Sequence, residues 1–138
     1  IYRFRFRKES TGSETTYRPK IEIILSHYGK QKEVVAVLDT GSDFIFIPRS
    51  IAQYFDLPLS KETGTAQGVG TEFEYQFAPI TIKIDHQHKT YHQKFQAIVP
   101  QEDNILDVIL GSDFLQNFIV TFDYPKHIIK LNEKIAHA

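Results

Sequence analysis

Residues 34–48 read Val-Val-Ala-Val-Leu-Asp-Thr-Gly-Ser-Asp-Phe-Ile-Phe-Ile-Pro. Five apolar residues, Val34 to Leu38, lead into Asp39-Thr40-Gly41-Ser42, and a second apolar run, Phe44 to Ile47, leads out. A short, wholly apolar run is expected of a strand buried on both faces. The strand thus delivers a carboxylate into a tight turn in apolar surroundings. Gly41 permits close backbone approach. Thr40 can lock the turn through its hydroxyl, and Ser42 is expected to hydrogen-bond the Asp39 carboxylate from its outer side. An acid held rigidly in a mostly apolar cleft has an adjustable pKa. A chance Asp-Thr-Gly has a probability of about one in forty in a chain of this size, so the tripeptide alone says little. Its place between two apolar runs carries the reading.

Working outward, the rest of the chain is patterned for strands. Ile21, Ile23 and Leu25 alternate before a turn at 28–31. In residues 1–7, Tyr2, Phe4 and Phe6 alternate with Arg3, Arg5 and Arg7, which predicts a half-buried strand with a solvated arginine face. Residues 8–18 are polar and are expected to be a loop or linker, so that 1–18 forms an arm and 19–138 the main domain. After Asp39, Pro48 suits the first turn of a helix carrying Ile51, Tyr54 and Phe55, and Pro58 stops it. A Gly- and Thr-rich stretch at 60–72 precedes alternating segments at 73–77 and 80–84, a turn at 85–88, and a return strand through Tyr91, Phe95, Ala97 and Val99. Val108-Ile109-Leu110-Gly111 repeats the device of an apolar run ending in glycine. A short helix over 113–117, capped by Asp113, and a final hairpin over 118–131 close the chain. The expected class is all-β, a small closed barrel with one or two short helices.

Composition narrows the function. The 138 residues fit one domain, and 16 basic against 17 acidic side chains leave no basic excess for nucleic acid. No apolar run is long enough to span a membrane. With no cysteine, thiolate catalysis, disulfides and cysteine-ligated zinc are excluded. An aqueous reducing compartment fits this, and a cytoplasmic location is expected. The chain begins at Ile1 and has no Met, so it is read as a processed chain or an excised piece. A signal, membrane anchor or partner domain could have stood upstream. His86, His88 and His92 flank a polar hairpin tip without a carboxylate partner of clear spacing. They are read as turn histidines, with no metal and no cofactor called for.

Three motifs, in order, carry a resemblance. VVAVLDTGSDFIFIP resembles the active-site strand of retropepsin-type aspartic proteases. VILGSDFL, residues 108–115, is similar to their second signature, two apolar residues and a glycine before a short helix. GVGT at 68–71 resembles the flap tip, in particular that of the DNA-damage-inducible, retroviral-protease-like eukaryotic proteins. The resemblance covers roughly residues 20–132. It departs where retroviral enzymes carry an Arg after the second-signature glycine, paired with an Asp four residues past the catalytic one. Here Asp43 stands at the acidic position and Ser112 at the basic one.

The resemblance implies an aspartic endopeptidase acting on an extended peptide. Asp39 would be the catalytic carboxylate, supported by Thr40, Gly41 and Ser42. Gly68, Val69 and Gly70 would form a flap that closes over substrate, and Asp43 would bind substrate backbone. The cleft would be lined from segments near 44–47 and 105–110. The chemistry needs two carboxylates sharing one proton; the aspartic-protease dyad is the reference case for that coupling and is taken over here as such. One Asp-Thr-Gly per chain then implies a homodimer around a two-fold axis. Its interface is expected on the terminal strands, 1–7 and 128–132. The alternative is a retropepsin-like dimerisation or peptide-binding module with weak catalysis, to which Ser112 lends support. A third reading is a processing domain of a larger polyprotein or membrane protein.

Overall fold

The computed structural model describes residues 1–68, 71–102 and 107–133. The strands are β1 (Tyr2–Arg5), β2 (Arg7–Thr11), β3 (Glu14–Arg18), β4 (Lys20–His27), β5 (Lys30–Leu38), β6 (Gly64–Gly68), β7 (Thr71–His86), β8 (Lys89–Pro100), β9 (Val108–Leu110), β10 (Phe118–Asp123) and β11 (Ile128–Glu133). Two short helices, α1 (Arg49–Phe55) and α2 (Ser112–Leu115), interrupt them.

The main sheet runs β6-β7-β4-β5-β9, with β8 paired along β7. Phe46 bridges its open side, to Ile98 of β8 and Ile109 of β9. Its N–H donates to Ile109 O at 2.9 Å, and Ile109 N–H returns to Phe46 O at 3.0 Å. On the other side Ile98 N–H donates to Ile45 O at 2.8 Å, and Ile47 N–H to Ile98 O at 2.9 Å. The circuit β7–β4–β5–β9–Phe46–β8–β7 therefore closes, which is the expected small barrel. Its interior holds Leu25, Ile45, Ile47, Ile80, Ile82 and Leu110 with almost no exposure. No polar or charged side chain is fully buried among the described residues.

In two of the two-residue hairpin loops, Tyr28-Gly29 and Gln87-His88, both residues have positive φ. That geometry matches the right-handed twist of the strands it joins. His86 is half-buried against Phe4, ring centroids 5.2 Å apart, while His88 and His92 are exposed.

The N-terminal part differs from expectation. Residues 8–18 are not a loop but most of a hairpin, β2 with β3, in register from Arg7↔Arg18 to Thr11↔Glu14. Gly12 opens its two-residue turn at φ +63. The ribbon is a sheet of its own. At its root Glu9 lies 2.9 Å from Lys20 and 3.6 Å from Arg18, and Tyr17 stacks on His127 at 3.9 Å. Strand β1 alternates as expected, with Tyr2 buried; Phe6, just beyond it, is buried too, and both join the main core. It pairs with β11, giving the order β1-β11-β10. Residues 128–131 thus have neighbours on both sides and offer no free edge, and Asn132 is paired to β10 alone; β1 and β10 keep one free edge each.

Candidate active site

Strand β5 delivers Asp39 beside β9, with Val37 opposite Ile109 and Leu38 opposite Leu110 in parallel register. Asp39 N–H donates to Leu110 O at 3.0 Å, and Leu38 N–H to Pro19 O at 2.9 Å. The carboxylate is therefore launched from backbone pinned on both sides. Gly41 N–H donates to Asp39 Oδ1 at 2.8 Å, and Ser42 N–H to Asp39 O at 3.2 Å, which closes the turn. A Cβ at position 41 would lie 3.2 Å from Asp39 Oδ1, so glycine lets the amide reach the carboxylate. Asp39 and Ser42 are half-buried; Thr40 and Asp43 are exposed.

Ser42 does not bond the carboxylate. Its hydroxyl donates to Phe44 O at 2.8 Å and receives Phe44 N–H at 3.4 Å. A serine side chain commonly turns to backbone groups two residues on, and that local bond wins here.

The loop from Ser42 to Ile45 is laid across the β9–α2 junction. At Gly111 a Cβ would meet Ser42 O and Phe44 O at 2.6 Å and Phe44 N at 2.8 Å. Only a residue without a Cβ admits this crossing of two backbones. Beyond it Ser112 N–H donates to Ser42 O at 2.8 Å, and Ser112 Oγ to Asp43 O at 3.3 Å. The retroviral ion pair is thus replaced by a neutral bond to the backbone of Asp43. Asp113 corrects the expectation of a helix cap: Gly111 is the N-cap. Asp113 Oδ2 accepts from Ile45 N–H at 3.0 Å and Oδ1 from Phe114 N–H at 2.8 Å. Burial pushes its pKa up, and the N–H groups of Ile45, Phe114 and Asp113 itself oppose that shift. The sequence offered only the spacing of Asp113 from Gly111 as a signal, and spacing alone also fits a cap.

The flap reading rests on the β6–β7 hairpin, in register from Gly64↔Tyr75 to Gly68↔Thr71. Val69 and Gly70 lie outside the described residues. Tyr75 packs over Gly64, where a Cβ would meet its ring at 2.5 Å. A row of rings links the hairpin to the active-site loop: Phe46 to Phe73 at 6.0 Å, Phe73 to Tyr75 at 6.3 Å, Tyr75 to Phe77 at 5.2 Å. The expected cleft lining splits by alternation. Ile45, Ile47, Val108 and Leu110 are buried in the core, whereas Phe44 is 47% exposed and Phe46 and Ile109 are half-buried. Residues 105 and 106 lie outside the described residues.

The family model "gag-polyprotein putative aspartyl protease" matches residues 29–117, a span that holds Asp39, the hairpin and Gly111. The chain belongs to the retropepsin-like aspartic protease family. Among solved structures, this retropepsin-like chain is similar to EIAV protease complexed with the inhibitor HBY-793. The identity is 26% over 78% of this chain and 92% of that one, with a TM-score of 0.56. A retropepsin-like aspartic protease from Rickettsia conorii shares the fold at 19% identity, covering 81% of this chain and 80% of that one, with a TM-score of 0.52. No curated protein sequence matches it significantly. Among the described residues of this family member, no helix is long and apolar enough to cross a membrane.

Proposed function

We propose that the chain is an aspartic endopeptidase whose active site forms at the two-fold axis of a homodimer. Two Asp39 carboxylates share one proton; the ionised one takes a proton from water, and the protonated one donates to the scissile carbonyl. Thr40, Gly41 and Ser42 hold the loop, Asp43 meets substrate backbone, and Gly68, Val69 and Gly70 form the flap tip. Residues 19–138 form the protease domain, with 1–18 as an arm packed on it. The substrate is an extended peptide with apolar side chains near the scissile bond, in keeping with the exposed ring of Phe44. A cysteine-free chain suits the cytoplasm.

The observation that carries this reading is the Gly41 N–H bond to Asp39 Oδ1 in a turn tied to β9. A carboxylate so fixed is oriented before substrate arrives. The decisive experiment joins two copies by a flexible linker and changes Asp39 to Asn in one. A shared dyad requires loss of nearly all activity on a peptide library, and activity should fall on dilution of the unlinked chain. Retention of about half, as two independent sites would give, overturns the reading. A peptide-binding module is the second reading, favoured by the single 3.3 Å bond of Ser112 in place of an ion pair. Peptide binding without turnover, unaltered by Asp39→Asn, would establish it.

A further inference from the structure

Asp113 is half-buried, lies outside the Asp-Thr-Gly turn, and grips the active-site loop twice. Its N–H donates to Asp43 O at 3.3 Å, and its Oδ2 accepts from Ile45 N–H at 3.0 Å. Between these points Phe44 is about half exposed, and its backbone bonds within the loop, to Ser42 Oγ. Ile45 is fully buried and sits in no strand, so its amide relies on the carboxylate. A buried N–H left without an acceptor is destabilising, because it has lost water and gained no partner. Ile45 O in turn receives Ile98 N–H from β8 at 2.8 Å, which places the bracket in line with the barrel closure. On the other side, Ser42 N–H bonds Asp39 O, and Gly41 N–H bonds Asp39 Oδ1. The path from Asp113 to the candidate carboxylate is one short run of backbone, residues 39–45.

We infer that Asp113 is a positioning residue for Asp39, acting through the Ile45 amide and the 39–45 backbone, without touching substrate. The inference rests on the aspartic-protease reading for its consequence in catalysis, but not for the geometry it asserts. A cap would stabilise α2 alone. A bracket also fixes where the Gly41 amide meets the carboxylate.

The test compares Asp113→Ala and Asp113→Asn in the intact protein by amide hydrogen exchange and by kinetics on one cleavable peptide. Alanine removes the acceptor for Ile45; the asparagine carbonyl restores it. Exchange at Ile45 and at Gly41 should both rise at least about tenfold in the alanine variant and stay near wild type in the asparagine variant. The kcat should fall about 100-fold with alanine while KM changes little, since a misplaced group costs rate more than binding. Asparagine should recover most of it. If alanine prevents folding, Asp113→Ser takes its place, because its shorter side chain cannot span to Ile45. Opening at Ile45 with Gly41 unchanged overturns the inference, as do equal kcat losses with alanine and asparagine. If the wild type hydrolyses no peptide, the protease reading fails, and exchange at Gly41 still decides the bracket.

Discussion

The carboxylate of Asp113 and the backbone N–H of Ile45, 68 positions apart in sequence, meet at 3.0 Å. Their bond lies beside a close backbone crossing, where Gly111 passes under Ser42 and Phe44. The crossing is the more demanding of the two, because no side-chain motion can relieve a Cβ placed 2.6 Å from two carbonyl oxygens.

Gly111→Ala and Gly41→Ala should therefore fail differently. The first should lower unfolding free energy by about 3 kcal/mol or more, read from the urea midpoint, through overpacking against backbone. At Gly41 the tight contact is a 3.2 Å approach to the Asp39 carboxylate itself. That variant should keep most of its stability and lose peptide hydrolysis. Similar midpoints for the two variants would count against this account of Gly111.

Ser42→Ala tests a corrected expectation. Because the Ser42 hydroxyl bonds Phe44 O, its removal should cost about 1 kcal/mol and leave the shape of the pH–rate profile unchanged. An acid limb displaced by the substitution would mean that the hydroxyl reaches the carboxylate in the dimer.

Tyr91 supplies a pH signature of the fold. Burial, the largest cause, raises its pKa from 10.0 to about 12. The neutral phenol is the form the folded chain favours, so the associated stability is complete below pH 10 and is lost as pH rises towards 12. The loss should be of order 2–3 kcal/mol. Urea titrations between pH 9 and 12 should show the decline, and Tyr91→Phe should flatten it. A parallel decline in the variant would assign the effect to other groups.

His88 holds φ +69 at the second position of its two-residue turn. His88→Gly should raise stability by roughly 0.5–1 kcal/mol, since glycine is the favoured residue there. A lower thermal midpoint would show that the imidazole makes a compensating contact.

The barrel and the Asp39 turn were legible because apolar alternation and unbroken apolar runs report burial directly. The alternation at Ile80, Ile82 and Ile84 became a fully buried stripe, whereas the run Val34 to Leu38 buries Ala36 and Leu38 and leaves Val34, Val35 and Val37 half-buried, not buried on both faces. The β2–β3 ribbon was not legible. It buries no apolar face, so alternation is absent, and its remaining signals were Thr11, Thr15, Thr16 and Tyr17 around Gly12-Ser13. The bonds of Asp113 and Ser42 were missed for a different reason. One joins positions far apart in sequence, and the other is a choice between two acceptors within reach of the same hydroxyl.

The pairing of Tyr2 with Leu131 joins the two extremes of the fold. During synthesis the first strand must wait for nearly the last one before it can bury Tyr2 beneath Phe118. Such non-local pairing slows folding, because chain closure is paid in entropy before the contact rewards it. Until then β1 is an unpaired, aromatic-rich strand, and a neighbouring unfinished copy can capture it. An unfinished chain thus carries a hazard of misassembly that the finished sheet, with β1 paired to β11, does not.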